Sequence, residues 1–161
     1  MSLLSGRRSF SRLLAAGYVA GASSVLAPGA SLAAAPSLEN ELRQVMEASA
    51  AAWSAGKFDD FMKVYEDSPA TTYISGATHV TGYGAIRAMY ASRFGPGGPG
   101  SLGALRFDVL ETRALGTDHA LFIGRYHLKM DKPDTPEYTG LFTLVFHRDK
   151  GQWRIINDHS S

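Results

Sequence analysis

Two strand-like segments carry the side chains best suited to chemistry. The last eleven residues, Gly151 to Ser161, read as a strand whose tip holds Asp158, His159, Ser160 and Ser161. A buried carboxylate or imidazole is costly unless paired or hydrogen-bonded, so such a tip lines a cavity or a partner contact. Asp158 and His159 are adjacent, so on a strand they point to opposite faces and form one dyad only if a bulge re-aims one. Asp158 is a candidate general base or ligand contact, or else a satisfied structural carboxylate.

Arg125 interrupts the otherwise apolar run Ala120 to Leu128. A guanidinium is rarely buried alone, so Arg125 either pairs with Asp158 or clamps a ligand carboxylate. His127 shares its face and is the second candidate base, its ordinary pKa lying close to neutral pH. A lone strand histidine is more often structural. Tyr65, Tyr73 and Tyr90 fall on a helix, a strand and a helix, as core aromatics or as groups that orient a ligand.

Other chemistries are excluded or left without a motif. The chain has no cysteine, which removes disulfides, thiolate metal sites and cysteine nucleophiles. Its five histidines show neither H-x-H nor H-E-x-x-H spacing, so no metal is expected. No phosphate loop, dinucleotide fingerprint or G-x-S-x-G elbow is present, and no cofactor is expected.

Residues 1–33 read as an export signal of the twin-arginine type. Arg7-Arg8 precedes Phe10, a mild apolar run spans Leu13 to Leu26, and Ser31 and Ala33 suit the peptidase. Residues 34–161 then form a single α+β domain, periplasmic or secreted. Three arginines leave with the signal, so the formal charge of +1 becomes −2. Nothing in that balance points to nucleic acid, or to a membrane after cleavage.

The elements that must position these side chains follow from periodicity. Leu38, Leu42, Val45, Met46, Ala52 and Trp53 recur at helical spacing behind a Ser37 cap, and Gly56 ends that helix. A short helix carries Phe58, Phe61, Met62 and Tyr65. Two short strands, Ala70 to Ser75 and His79 to Thr81, flank Gly76, and a third helix spans Tyr83 to Phe94. The glycine- and proline-rich segment 95–103 is a solvated linker or a flap over a pocket. Long strands over Leu105 to Leu115, His119 to Met130, Tyr138 to Arg148 and Gln152 to Ser160 complete an antiparallel meander. The third has Phe142, Leu144 and Phe146 on one face and Leu141, Thr143 and Val145 on the other. A sheet apolar on both faces needs cover on both, from the helices and from a second subunit, so a homodimer is expected.

This order resembles the cone-shaped fold shared by nuclear transport factor 2, ketosteroid isomerase and SnoaL-like polyketide cyclases, also called cystatin-like. The resemblance covers Leu38 to Ser161. It rests on Ala52-Trp53-Ser54-Ala55-Gly56 with Phe61 and Tyr65, on Gly82 to Arg87, on Gly140 to Phe146 and on Trp153 to Ser161. Those phrases are similar to a bacterial domain of unknown function related to the calcium/calmodulin-dependent kinase association domain. The resemblance implies a curved antiparallel sheet around three helices with a pocket between them. It also implies that Phe142, Leu144, Phe146, Asp158 and Ser160 look into that pocket, with Arg125 beside them. The isomerases' base and oxyanion tyrosine would fall near Ile74 and Ser49, which cannot act in those roles. Two further pocket arginines of the kinase domain would fall near Leu144 and Ser160.

Three functions are compatible with this pattern, and whether the protein is an enzyme stays open. The leading expectation is an exported protein that binds, or acts on, a small apolar molecule with a polar or anionic handle. The handle would meet Arg125, Asp158 and Ser160, with Tyr65, Tyr73 and Tyr90 as walls. The alternatives are proton transfer α to a carbonyl, with Asp158 or His127 as base, and a dimeric assembly module without catalysis.

Overall fold

The helix that opens the fold starts where a capping side chain meets its first free amide. In the computed structural model, which describes residues 37–94, 102–130 and 134–161, the Ser37 hydroxyl accepts from the Asn40 amide at 3.3 Å. Glu39 and Glu41 lie in the first turn of α1 (Leu38–Ser54), where the helix dipole favours them. The expected export signal, 1–33, and most of the segment 95–103 fall outside the described residues.

Leu42, Met46, Ala50 and Trp53 repeat every three or four residues and form the buried stripe of α1. Gly56 closes the helix at φ +69°, a conformation glycine adopts without strain. Next, α2 (Phe58–Met62) buries Phe58, Phe61 and Met62. Two short strands, β1 (Thr72–Ser75) and β2 (Thr78–Thr81), pair around a turn at Gly76. They lead into α3 (Tyr83–Phe94), whose Ile86 is fully buried.

Four long strands follow: β3 (Ala104–Ala114), β4 (His119–Lys129), β5 (Tyr138–Asp149) and β6 (Gln152–Ser160). The α+β layout and the meander are those expected from the sequence. All six strands join one curved open sheet in the order β2-β1-β6-β5-β4-β3. One junction was not legible in the sequence: β1 runs parallel to β6, with Tyr73 opposite Asp158. That pairing makes the terminal strand an inner strand of the sheet, so its tip is held on both sides rather than frayed, and Asp158 within it is buried.

A bulge decides which polar residues face inward. On β5 and β6, Val145 is opposite Asn157, yet the next residue, Phe146, is opposite Ile155. Ile156 is therefore the extra residue. Trp153 and Ile155 are buried before it, and Asp158 is buried beyond it. Without that residue Asn157 and His159 would face the core, because side chains alternate along a strand.

Register also settles the faces of β4. Gly124 lies opposite Phe142, and Phe122 opposite Leu144, so the even-numbered residues of β4 share the inner face. Arg125 is opposite Leu141 and Asp108, on the outer face. The expectation that Arg125 reaches the pocket, there to pair with Asp158 or to clamp a ligand carboxylate, is thereby corrected. Its strand is apolar on both sides, so alternation alone gave no phase.

His127 shares that outer face and is corrected with it. One of its ring nitrogens lies 2.8 Å from Asp108 Oδ2, and the other lies 3.4 Å from Glu137 Oε2. Arg106 sits 3.2 Å from Asp108 and 3.6 Å from Glu137. The hydrogen bond from His127 holds the Asp108 carboxyl below its usual range. This is an ionic cluster on the outside of the sheet, and His127 has no route to the cavity.

Candidate functional site

The helices and the inner sheet face enclose an open cavity of about 520 Å³. That volume lies in the range of about 300–1,000 Å³ usual for small-molecule sites. Its walls are mostly aromatic and aliphatic: Trp53 and Phe61 from the helices, Phe107, Phe142 and Leu144 from the sheet. Trp53 meets Phe61 edge to face at 4.8 Å, and Phe61 meets Tyr90 at 5.3 Å, which fixes the helical wall.

Asp158 is the charged group placed deepest in this wall, with 4% of its surface exposed. Tyr65 donates to its Oδ2 at 2.5 Å, and Ser160 donates to its Oδ1 at 2.6 Å. Tyr65 can reach it because the chain after α2 runs beside β6. There the Ile155 amide donates to Val64 O at 2.8 Å and the Glu66 amide to Ile155 O at 2.9 Å. The bulge at Ile156 and this docked segment together bring tyrosine and carboxylate face to face.

The hydroxyls form a directed chain. Tyr65 and Tyr90 are 3.0 Å apart. The single Tyr65 proton is committed to Asp158, so Tyr90 donates to Tyr65. The order is Tyr90 to Tyr65 to Asp158, with Ser160 donating from the other side. Tyr90 itself lines the cavity.

Burial dominates the electrostatics here. It pushes the Asp158 carboxyl above its usual 3.8, while the hydrogen bonds from Ser160 and Tyr65 pull it back. Burial and the neighbouring Asp158 charge raise Tyr65 well above 10.0, and the same two causes raise Tyr90. Both phenols stay protonated as donors. Tyr73 is raised by burial as well.

Tyr65→Phe tests this chain. It leaves one carboxylate oxygen without its donor and the Tyr90 hydroxyl without its acceptor. We expect a loss of about 1–2 kcal/mol, read from the midpoint of denaturant unfolding. An unchanged midpoint would show that water replaces the phenol freely.

Of the side chains singled out from sequence, Tyr65, Tyr73, Tyr90, Asp158 and Ser160 line the cavity. Arg125 and His127 do not. Sequence reasoning missed Ser49, Ser75, Tyr126 and Arg93, all of which line it. Arg93 carried a usable signal, since it lies three residues beyond Tyr90 and so shares its helical face. Ser75 is two residues beyond Tyr73 on β1 and therefore on the same side. The described residues contain no cluster of metal-ligating side chains.

Cone, inner sheet face and buried polar end define a class of pocket-bearing α+β protein. The chain belongs to the SnoaL-like domain family, whose family model matches residues 42–161. Among solved structures it is similar to an NTF-2-like protein of unknown function from Shewanella oneidensis. Identity is 29%, the alignment covers 76% of this chain and 98% of that one, and the TM-score is 0.69. It is also similar to a putative calcium/calmodulin-dependent protein kinase type II association domain from Thiobacillus denitrificans. Here the identity is 26%, the coverage 78% and 94%, and the TM-score 0.62. A putative dehydratase of the NTF2-like family from Streptomyces avermitilis shares the fold at 16% identity, with 75% and 92% covered and a TM-score of 0.59. No curated protein matches the chain.

Proposed function

We propose that this chain is an exported, dimeric protein that binds a small, mostly apolar molecule by one polar group. The observation that carries this reading is the Asp158 carboxylate, buried at the wall of an open apolar cavity and held by Tyr65 and Ser160. A carboxylate in such surroundings is costly to keep, which favours a role in recognition over a role in packing. The open cavity also speaks against a pure assembly module, whose pocket would be filled by its own side chains. Export rests on the residue pattern of 1–33. The dimer rests on the outer sheet face, where exposed Leu141 adjoins half-buried Leu121, Ile123 and Val145.

A second reading is favoured by one specific feature. The raised Asp158 carboxyl, next to two phenols that remain protonated, suits proton transfer α to a carbonyl: the carboxylate takes the proton, and the Tyr90 hydroxyl turns away from Tyr65 to donate to the enolate oxygen. Asp158 is then the base, and His127 has no part.

Displacement of a polarity-sensitive apolar fluorophore tests the binding reading. Apolar alcohols, which can donate to the carboxylate, should displace it at least about fivefold better than hydrocarbons of equal size. That preference should vanish in Asp158→Asn. Equal displacement by both classes would contradict the reading. Turnover of an enolisable ketone that disappears in the same variant would move the assignment to the enzyme.

A further inference from the structure

The cavity is lined by two side chains of opposite charge that do not meet. Asp158 lies buried, both of its oxygens occupied by Tyr65 and Ser160. Arg93, in the last turn of α3, is exposed to solvent and lines the same cavity. Among the described residues Arg93 makes no ion pair and no side-chain hydrogen bond. Its charge is felt by the hydroxyls of Tyr73 and Tyr90, where it opposes the rise caused by burial. Burial and hydrogen bonding order the polar groups through the pocket: Asp158 buried, the Tyr65 and Tyr90 hydroxyls linked to it, and Arg93 at the solvent-exposed edge.

We propose that the cavity takes a two-ended ligand, a hydroxy or keto acid with an apolar body, whose hydroxyl or carbonyl meets Asp158 and whose carboxylate meets Arg93. This rests on the binding function proposed above and deepens it. The order of the two ends follows from charge. A ligand carboxylate against Asp158 would put two anions together in apolar surroundings, which strongly disfavours that orientation. A hydroxyl can donate to the carboxylate, and a carbonyl can accept from the carboxyl when it is protonated. At the mouth, a guanidinium matches a carboxylate with two parallel hydrogen bonds. Solvent screening at an exposed arginine keeps that gain modest. The anionic handle expected from the sequence is retained, but Arg93 rather than Arg125 holds it.

Isothermal titration with three probes tests the proposal: a medium-chain ω-hydroxy acid, its methyl ester, and the fatty acid lacking the hydroxyl. Near neutral pH the wild-type protein should bind the hydroxy acid about five- to tenfold more tightly than either of the others. Arg93→Gln should erase the preference for acid over ester while leaving the affinity for the ester unchanged. Arg93→Glu should invert it. Equal binding of acid and ester, or a preference that survives Arg93→Gln, overturns the proposal and leaves the pocket standing. Equal binding of hydroxy acid and fatty acid overturns the inner half of it. Failure of all three probes to bind overturns both this proposal and the binding function on which it rests.

Discussion

Asp158→Asn is expected to stabilise the protein near neutral pH and to weaken ligand binding. Asparagine keeps the shape of the side chain, and rotation of the Tyr65 and Ser160 hydroxyls lets it keep hydrogen bonds with both. What disappears is a charge in apolar surroundings. Because burial raises the folded-state pKa above the usual 3.8, the folded protein holds this proton more tightly than the unfolded chain does. The stability from Asp158 is fully present below about 3.8 and is lost as pH rises through the higher folded value. The variant escapes that loss. The exposed carboxylates Asp60, Asp108 and Asp118 are shifted down and bias the wild type the opposite way, but they cancel when the two proteins are compared. We expect the variant to gain about 1 kcal/mol near neutral pH, a few degrees in Tm. The difference should shrink to nothing in acid. Affinity for the polar group of the ligand should fall about tenfold or more. Melting curves across pH for both proteins check the first half, and titration checks the second. A variant that melts lower at every pH would mean that the carboxylate is kept for structure.

Gly124→Ala should be strongly destabilising for a single added methyl. Gly124 pairs with Phe142 across β4 and β5, and with Val109 across β3 and β4. A Cβ there runs into the Phe142 ring and comes within 2.7 Å of the Asp108 carbonyl oxygen. The phenyl ring cannot simply swing aside. It stacks on Phe122 at 5.9 Å and 8°, and meets Phe107 edge to face at 5.4 Å. The expected cost is about 2–4 kcal/mol. The gain of about 0.4–1 kcal/mol from restricting the unfolded chain does not offset it. Since Phe142 forms part of the wall, the cavity should distort with it. Phe142→Leu in the same chain should return at least about 1 kcal/mol, visible as coupling in a double-mutant cycle. A neutral Gly124→Ala would show that the close approach of this wall is not real.

These two positions illustrate what the sequence could and could not convey. Helix periods, the Ser37 cap and the glycines that stop elements are local signals, so the order of elements and nearly all of their bounds were legible. The inward set Phe142, Leu144, Asp158 and Ser160 was legible too, but only through resemblance to a cone-shaped fold. Nothing local marks Ile156 as a bulge, and without that bulge the alternation from Ile155 leads to Asn157 instead. Arg125 failed for a related reason. Leu121 and Ile123 on one side of β4 match Phe122 and Leu128 on the other in apolarity, so only cross-strand register reveals which way the arginine turns. Arg93 was overlooked because a charged residue late in a helix reads as a solvated dipole partner. Its helical neighbours Tyr90 and Phe94, which also line the cavity, show otherwise.

Native mass spectrometry of the protein purified from cells, beside a denatured sample, tests the central claim most directly. The account predicts a dimer carrying extra mass that denaturation releases, a small molecule with an apolar body and at least one oxygen function. It also predicts that bare protein regains such mass on incubation with the hydroxy acid. A protein that stays bare from the cell and after incubation would contradict the claim that this cavity holds a ligand.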